Sequence, residues 1–177
     1  IQYLEQNTFD LIVLGTKGRD GLEAWWRGSV AEPVARVSKT MSLFVPHAAR
    51  GFVSIDTGAI SLKRILVPVG GSVDPQRALA AADVLRRALG ATSAQISACH
   101  VGDRGVDLGI DEDDVELLWR DGDVVDELVA VANDIEADLV VMSAPGRGGL
   151  LDAFRGSAVE RVMRRIKCPL LSVPAPR

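Results

Sequence analysis

Cysteine is scarce: Cys99 and Cys168 are the only two in 177 residues, too few to staple a small extracellular fold. No charged, apolar and small-residue leader opens the chain either, so a reducing cytoplasm is the expected compartment. Long apolar runs are missing as well. The longest uncharged ones have the length of a strand, whereas crossing a bilayer as a helix takes about 20 residues, and no membrane partner is expected. Basic residues give no excess: 20 Lys and Arg stand against 24 Asp and Glu, a formal charge of -4. With an isoelectric point near 5.2 there is no chain-wide positive field to hold a nucleic-acid backbone. Histidine is limited to His47 and His100, with no acidic partner at ligand spacing, so a metal site is not expected.

What is present is a globular composition, 47% hydrophobic and 25% charged, with a mean hydropathy of +0.17. That suffices for one good-sized domain. An internal repeat organises it. Phe9 to Pro46 lies over Ala137 to Pro174 without a gap at an offset of 128, and 17 of the 38 aligned positions are identical. Gly18/Gly146, Arg19/Arg147, Gly28/Gly156, Ser29/Ser157 and Glu32/Glu160 stay in register. The chain is therefore read as two copies of one unit, with residues 1–47 the C-terminal part of a first domain, 48–61 a linker, and 62–177 a complete second domain. The partial copy implies either a piece of a tandem protein or a half-unit completed by another chain, since two strands alone leave open edges.

Within the second copy, Leu62 to Val69 reads as a strand. Pro75 to Leu89 reads as a helix, with Ala78, Ala81, Ala82, Leu85 and Leu89 at helical spacing, and Asp74 and Pro75 mark its start. Ala94 to Val101 and Val115 to Arg120 follow as strands, Val124 to Ala137 as a helix, Asp138 to Ser143 as a buried strand, Ser157 to Lys167 as a helix, and Pro169 to Val173 as the last strand. This alternation predicts a parallel sheet with both faces covered.

In the first copy the strand Leu11 to Leu14 runs into Gly15-x-x-Gly18, nine further residues, and Gly28-Ser29. Glycines let a backbone approach an anion, and a helix start supplies free N–H groups and partial positive charge, so the pattern suggests phosphate binding or, alternatively, a plain tight turn. Ser29-x-x-Glu32 and Ser157-x-x-Glu160 form capping boxes that put each Gly-Ser at a helix start. Arg19 and Arg147 are within reach of a phosphate.

These residues resemble the universal stress protein (UspA-like) family, whose nucleotide-binding members carry Gly-x2-Gly-x9-Gly-Ser/Thr. The resemblance is carried by Asp10-Leu-Ile-Val-Leu-Gly-Thr-Lys-Gly-Arg-Asp-Gly-Leu with Gly28-Ser29-Val30, and by Gly146, Arg147, Gly149, Leu150, Gly156 and Ser157. Ile65-Leu-Val-Pro-Val-Gly-Gly-Ser72, His100-Val101 and Cys168-Pro-Leu-Leu-Ser-Val-Pro174 add to it. It implies an α/β fold of the adenine nucleotide alpha hydrolase-like kind: an open parallel five-stranded sheet in the order 3-2-1-4-5, helices on both faces, plus the partial copy. It also implies a homodimer or pseudo-dimer through the last strands, Met41 to Val45 and Leu170 to Val173.

In members that bind ATP, with or without Mg, the resemblance puts adenine near Pro68 and Val101 and ribose near Gly70. The phosphates would lie on the loop's Ser143, Gly146, Gly156 and Ser157, in reach of Arg147, and Val69, Met142 and Ala158 complete the expected cofactor-binding set. Gly15, Gly18, Arg19, Gly28 and Ser29 would serve in the first copy, and the two equivalent turns are expected to face one shared pocket. Ligands gather at strand carboxyl ends where the strand order reverses, which agrees. Two departures stand out. Gly70 replaces the acidic residue usual in binders, and Ser143 replaces the first loop glycine, with Ala144-Pro145 after it. Restoring Gly70→Asp with Ser143→Gly is expected to create affinity if those changes abolished it.

Other patterns read as structure. Cys99 and His100 are neighbours on a strand and point to opposite faces, so they form no dyad. The acidic run from Asp103 to Asp114 lacks the ligand pattern of a calcium loop. Trp25, Trp26 and Arg27 read as an amphipathic segment packing on the sheet. An α/β hydrolase would need a nucleophile on a strand-to-helix elbow, which is absent. No pair of residues supplies a general base and an oriented water, so no catalytic residue is named and any ATP turnover would be slow. The expected function is stress response by nucleotide binding and association; the alternative is a nucleotide-free association module.

Overall fold

The computed structural model describes residues 7, 9–16, 40–46, 49–70, 75–110, 115–144 and 158–174. Among them are seven strands, β1 (Leu11–Thr16), β2 (Met41–Pro46), β3 (Arg64–Val69), β4 (Gln95–Val101), β5 (Glu116–Arg120), β6 (Leu139–Ala144) and β7 (Leu170–Pro174). Three helices accompany them: α1 (Pro75–Ala88), α2 (Val124–Asp134) and α3 (Ala158–Met163). All seven strands join one sheet in the order β1-β2-β7-β6-β3-β4-β5.

This corrects the expectation of a five-stranded sheet. Counted from Arg64, the five strands of the second half do lie in the order 3-2-1-4-5, but β1 and β2 extend the same sheet beyond β7. Every neighbouring pair is parallel except β2 and β7, which are antiparallel. The physical reason is edge protection: β7 would otherwise end the sheet with a row of unpaired amides, and β2 covers it.

Alternation along the strands divides the core into two layers. On one face Leu66, Cys99, Val140 and Leu170 pack with Val125 and Leu128 of α2 and Met163 of α3. On the other Ile65, Val67, Ala98, Val141 and Leu171 pack with Ala78, Leu79 and Ala82 of α1. The small alanine face of α1 lets the helix lie close to the β-branched surface of the sheet. Cys99 and His100 fall on opposite sides, as alternation requires.

Two helices end earlier than periodicity suggests. After Asp134, Ile135 leaves helical geometry and Glu136 takes a positive φ of 46°, while the Ala137 amide donates back to the Ala132 carbonyl. This closes α2 three residues short of Ala137. Helix α3 stops at Met163 rather than Lys167. At its start, α2 is capped by Asp123, whose carboxylate accepts from the amides of Val125 and Asp126 at 2.9 and 3.1 Å. Asp138, only 5% exposed, accepts from the Lys63 and Arg64 amides at 2.8 and 3.0 Å and so fixes the start of β3 against that of β6.

Residues 49–61 are tied to the sheet. Val53 and Ile60 form an antiparallel bridge, the Arg50 amide donates to the Lys167 carbonyl, and Phe52 enters the core beside Leu43 and Leu62.

Candidate functional site

The strand order reverses at β3, which has β4 on one side and β6 on the other. With β4 it is paired from Arg64↔Gln95 to Val69↔His100. With β6 the ladder holds only Ile65↔Leu139 and Leu66↔Val140. The recorded pairing thus stops short of the carboxyl ends of both strands, leaving Val67–Val69 and Val141–Ser143 outside it, where Pro68 has no amide to donate. A switch point of this kind offers backbone groups to a ligand at the strand ends without disturbing the core below.

Pro68, Val69, Gly70, Val101, Met142 and Ser143 lie at the neighbouring carboxyl ends of β3, β4 and β6. Pro68, Gly70, Val101 and Ser143 are half-buried. Val69 and Met142 are buried in the two core layers, so only their backbones are free to face a ligand. Gly15 is not part of the cluster. It is the penultimate residue of β1, which runs parallel to β2 and hence antiparallel to β6, so the carboxyl ends of β1 and β6 point to opposite ends of the sheet. The expected shared pocket is thereby corrected: strand direction, reversed at the β2–β7 seam, keeps Gly15 and Ser143 apart. Gly18, Arg19, Gly28, Ser29, Gly146, Arg147, Gly156 and Ser157 lie outside the described residues, as do Trp25, Trp26, Arg27 and Asp74. Ala158 is the first residue of α3.

His100, which the sequence reading takes as a strand neighbour of Cys99, meets the end of β3. Its Nδ1 lies 3.1 Å from the Val69 carbonyl oxygen, and its ring meets Trp119 edge-on with centroids 5.2 Å apart and planes at 69°. Gly70 has a φ of +116°, and a Cβ there would stand 2.5 Å from His100 Nδ1 and 2.8 Å from Cε1. Position 70 thus holds a glycine because the imidazole fills the space of its side chain. In the Gly70→Asp, Ser143→Gly pair, the first change would set its Cβ against the imidazole. The signal was only indirect: a histidine at the end of the strand that β3 pairs with.

An open cavity lies at the other end of these strands. At the amino ends of β6 and β7 a cavity of about 400 Å³ is lined by Arg50, Ala132, Asn133, Glu136, Ala137, Lys167 and Cys168. Burial, reinforced by the negative charge of Asp138, pushes the Cys168 thiol up to about 12; burial pushes Cys99 to about 11. Both stay protonated at neutral pH and neither is a nucleophile. Among the described residues no group of three His, Cys, Asp or Glu side chains is placed to hold a metal, and no described helix is long and apolar enough to cross a membrane.

A match to the universal stress protein family covers residues 1–46 and 106–174, more than half of the sequence. The chain belongs to the universal stress protein family. It is 38% identical over 65 residues to the universal stress protein E homolog of Haemophilus influenzae, a stretch that is 37% of this chain and 20% of that protein. To a universal stress protein of Methanocaldococcus jannaschii it is 39% identical over 57 residues, 32% of this chain and 34% of the relative. The crystal structure of a universal stress protein from Archaeoglobus fulgidus superposes with a TM-score of 0.70 at 25% identity, over 93% of this chain and 60% of that one. A universal stress protein crystallised in complex with cAMP shares the fold with a TM-score of 0.51 at 24% identity, over 63% of this chain and 95% of that one. The matches thus span less than two thirds of both curated relatives and of the Archaeoglobus structure. The parallel-dominated α/β sheet is the universal stress protein fold.

Proposed function

We propose that this chain binds an adenine nucleotide, ATP with Mg on its phosphates, in the crevice between β3 and β6, and serves stress response by binding and association rather than turnover. The observation that carries this reading is the end of the β3–β6 ladder at Leu66↔Val140, at the strand where the sheet order reverses, while β3 stays paired with β4 as far as Val69↔His100. The base would lie against Pro68, Val69 and Val101 and the ribose near Gly70. The phosphates would follow Met142 and Ser143 toward Gly146, Arg147, Gly156, Ser157 and Ala158. The structural relative in complex with cAMP supports the adenine-nucleotide class. Two buried free thiols suit a reducing compartment, the cytoplasm. The test is a calorimetric titration of the whole chain with ATP and magnesium. Heat of binding and a raised melting temperature are expected; neither at millimolar nucleotide refutes the reading.

The same proposal takes residues 1–47 as part of a second copy of the domain, with Gly15, Gly18, Arg19, Gly28 and Ser29 as its own loop. Two facts support it. β1 pairs β2 as Leu11↔Met41 through Thr16↔Pro46, and β6 pairs β7 as Val140↔Leu170 through Ala144↔Pro174, so partners are 30 residues apart in both halves. Val13 is 60% exposed although its repeat equivalent Val141 is fully buried, because β3 and α1 flank β6 and nothing among the described residues does so for β1.

A second reading, a nucleotide-free association module, is favoured by the seam of β2 and β7, which joins the last strand of each half as a pseudo-dimer would.

A further inference from the structure

We propose that the open cavity at the amino ends of β6 and β7 is a ligand site of its own, one that takes a small organic acid bearing a single carboxylate. It is independent of the nucleotide reading, which concerns the opposite end of these strands.

Three separate stretches of chain build the cavity: Arg50, the end of α2 with the turn behind it, and the turn that leads into β7. Backbone hydrogen bonds hold its walls. The Arg50 amide donates to the Lys167 carbonyl at 2.8 Å, and the Ala137 amide to the Ala132 carbonyl at 2.8 Å. The walls are therefore set before a ligand arrives, which lowers the ordering cost of binding. The volume of about 400 Å³ falls within the range of small-molecule sites, about 300–1,000 Å³. Space is left because Ala132, Ala137 and Cys168 are small, and all three give the lining an uncharged surface.

The charges select the ligand. Lys167 is exposed, and among the described residues its ammonium has no carboxylate partner. The Arg50 guanidinium stands 3.9 Å from Asp138 Oδ1, beyond hydrogen-bond distance, while Asp138 Oδ2 is taken by the Lys63 and Arg64 amides. Glu136, the acid of the lining, is already paired with Arg64 at 2.7 Å. Asn133 donates through Nδ2 to the Val129 carbonyl at 2.8 Å, which leaves its Oδ1 as an acceptor. Taking the lining with its ion-pair partners, the cations Arg50, Arg64 and Lys167 outnumber the carboxylates Glu136 and Asp138 by one. One carboxylate balances that excess, whereas a triphosphate would reverse it. A carboxylate between Arg50 and Lys167 accepts charge-assisted hydrogen bonds from both, with its carbon chain on Ala132, Ala137 and Cys168.

The test is an NMR titration of the whole chain with butyrate, with butyramide as its uncharged match and inorganic phosphate as an anion without a carbon chain. Butyrate should give saturable shifts at Arg50, Asn133, Ala137 and Lys167 at millimolar concentration, and butyramide none. Arg50→Gln and Lys167→Gln should each weaken butyrate about 3- to 10-fold, less than a buried charge-assisted bond because the rim is wet. Ala137→Leu keeps every charge and fills the floor, so it should abolish the shifts. No butyrate shifts in the wild type, or equal shifts with butyramide, overturn the proposal and leave the nucleotide reading standing. Phosphate bound as tightly as butyrate, or butyrate bound unchanged by Ala137→Leu, reduces the cavity to two surface cations and overturns it as well. Should Ala137→Leu fail to melt cooperatively, the two glutamine variants decide, and unchanged butyrate affinity in both is the overturning result.

Discussion

Leu43 of β2 lies directly opposite Leu171 of β7, and the two are the same position of the repeat, 128 residues apart. The flanking pairs Ser42↔Ser172 and Phe44↔Leu170 exchange places under the same offset. The seam is thus self-complementary about Leu43 and Leu171, the geometry of an isologous contact built inside one chain.

Because Leu43 and Leu171 are both buried, at 8% and 1% exposed, each Leu→Ala change should cost about 2–5 kcal/mol by leaving a cavity. The double variant should fall short of the sum by about 0.5–3 kcal/mol, since both changes open the same space. Urea denaturation of the four proteins measures this. Strict additivity would mean that the two halves are not packed together at the seam.

Gly70→Ala should destabilise the chain by about 1–3 kcal/mol, because an L side chain at this φ is strained and would also strike His100. Only the collision is relieved by His100→Ala, so Gly70→Ala combined with His100→Ala should cost less than the two changes added. Thermal melts of the two single variants and the double variant provide the comparison; a cost equal to or above the sum shows that the ring does not occupy the space of residue 70.

At the start of α2, hydrogen bonds from the Asp126 and Val125 amides, with Arg161 nearby, hold the Asp123 carboxyl below its ordinary 3.8 despite partial desolvation. A carboxylate whose value is lowered in the folded state binds its proton more readily when unfolded. Its contribution is therefore complete at pH values above 3.8 and is lost as pH falls through the lower folded value. Asp123→Asn keeps an acceptor for the cap and removes the titration, so the fall in melting temperature on acidification should be shallower than in the wild type. Identical acid limbs would exclude Asp123 as a contributor.

Much of the fold was legible in local pattern. The short apolar runs ending in Val69 and Val101, and the helical spacing of Ala78, Ala81 and Ala82, placed the elements to within a few residues because burial acts on neighbours in sequence. Strand direction across the sheet was not legible: whether β2 meets β7 parallel or antiparallel depends on edges far apart in the chain, and that choice separates Gly15 from Ser143. Nor was the match of His100 with Gly70, which exists only once register sets Val69 beside His100. The Asp123 cap went unnamed in the sequence reading, although an acid stands just before the helix and Asp126 and Glu127 fall in its first turn.

Cys99 and Cys168, buried and held protonated with values near 11 and 12, should resist a thiol reagent such as dithionitrobenzoate at pH 8 in the folded chain. Both should react in full once it is unfolded in guanidinium. Fast labelling of either thiol in the native protein would show that its core layer opens readily.

Most direct for the nucleotide crevice is a backbone amide NMR titration of the whole chain with ATP and magnesium. Saturable shifts concentrated at Gly70, Val101, Gly102 and Ser143 are expected, with Arg50, Asn133 and Lys167 at the opposite opening unmoved. Shifts confined to that second opening, or none at millimolar ATP, contradict the account.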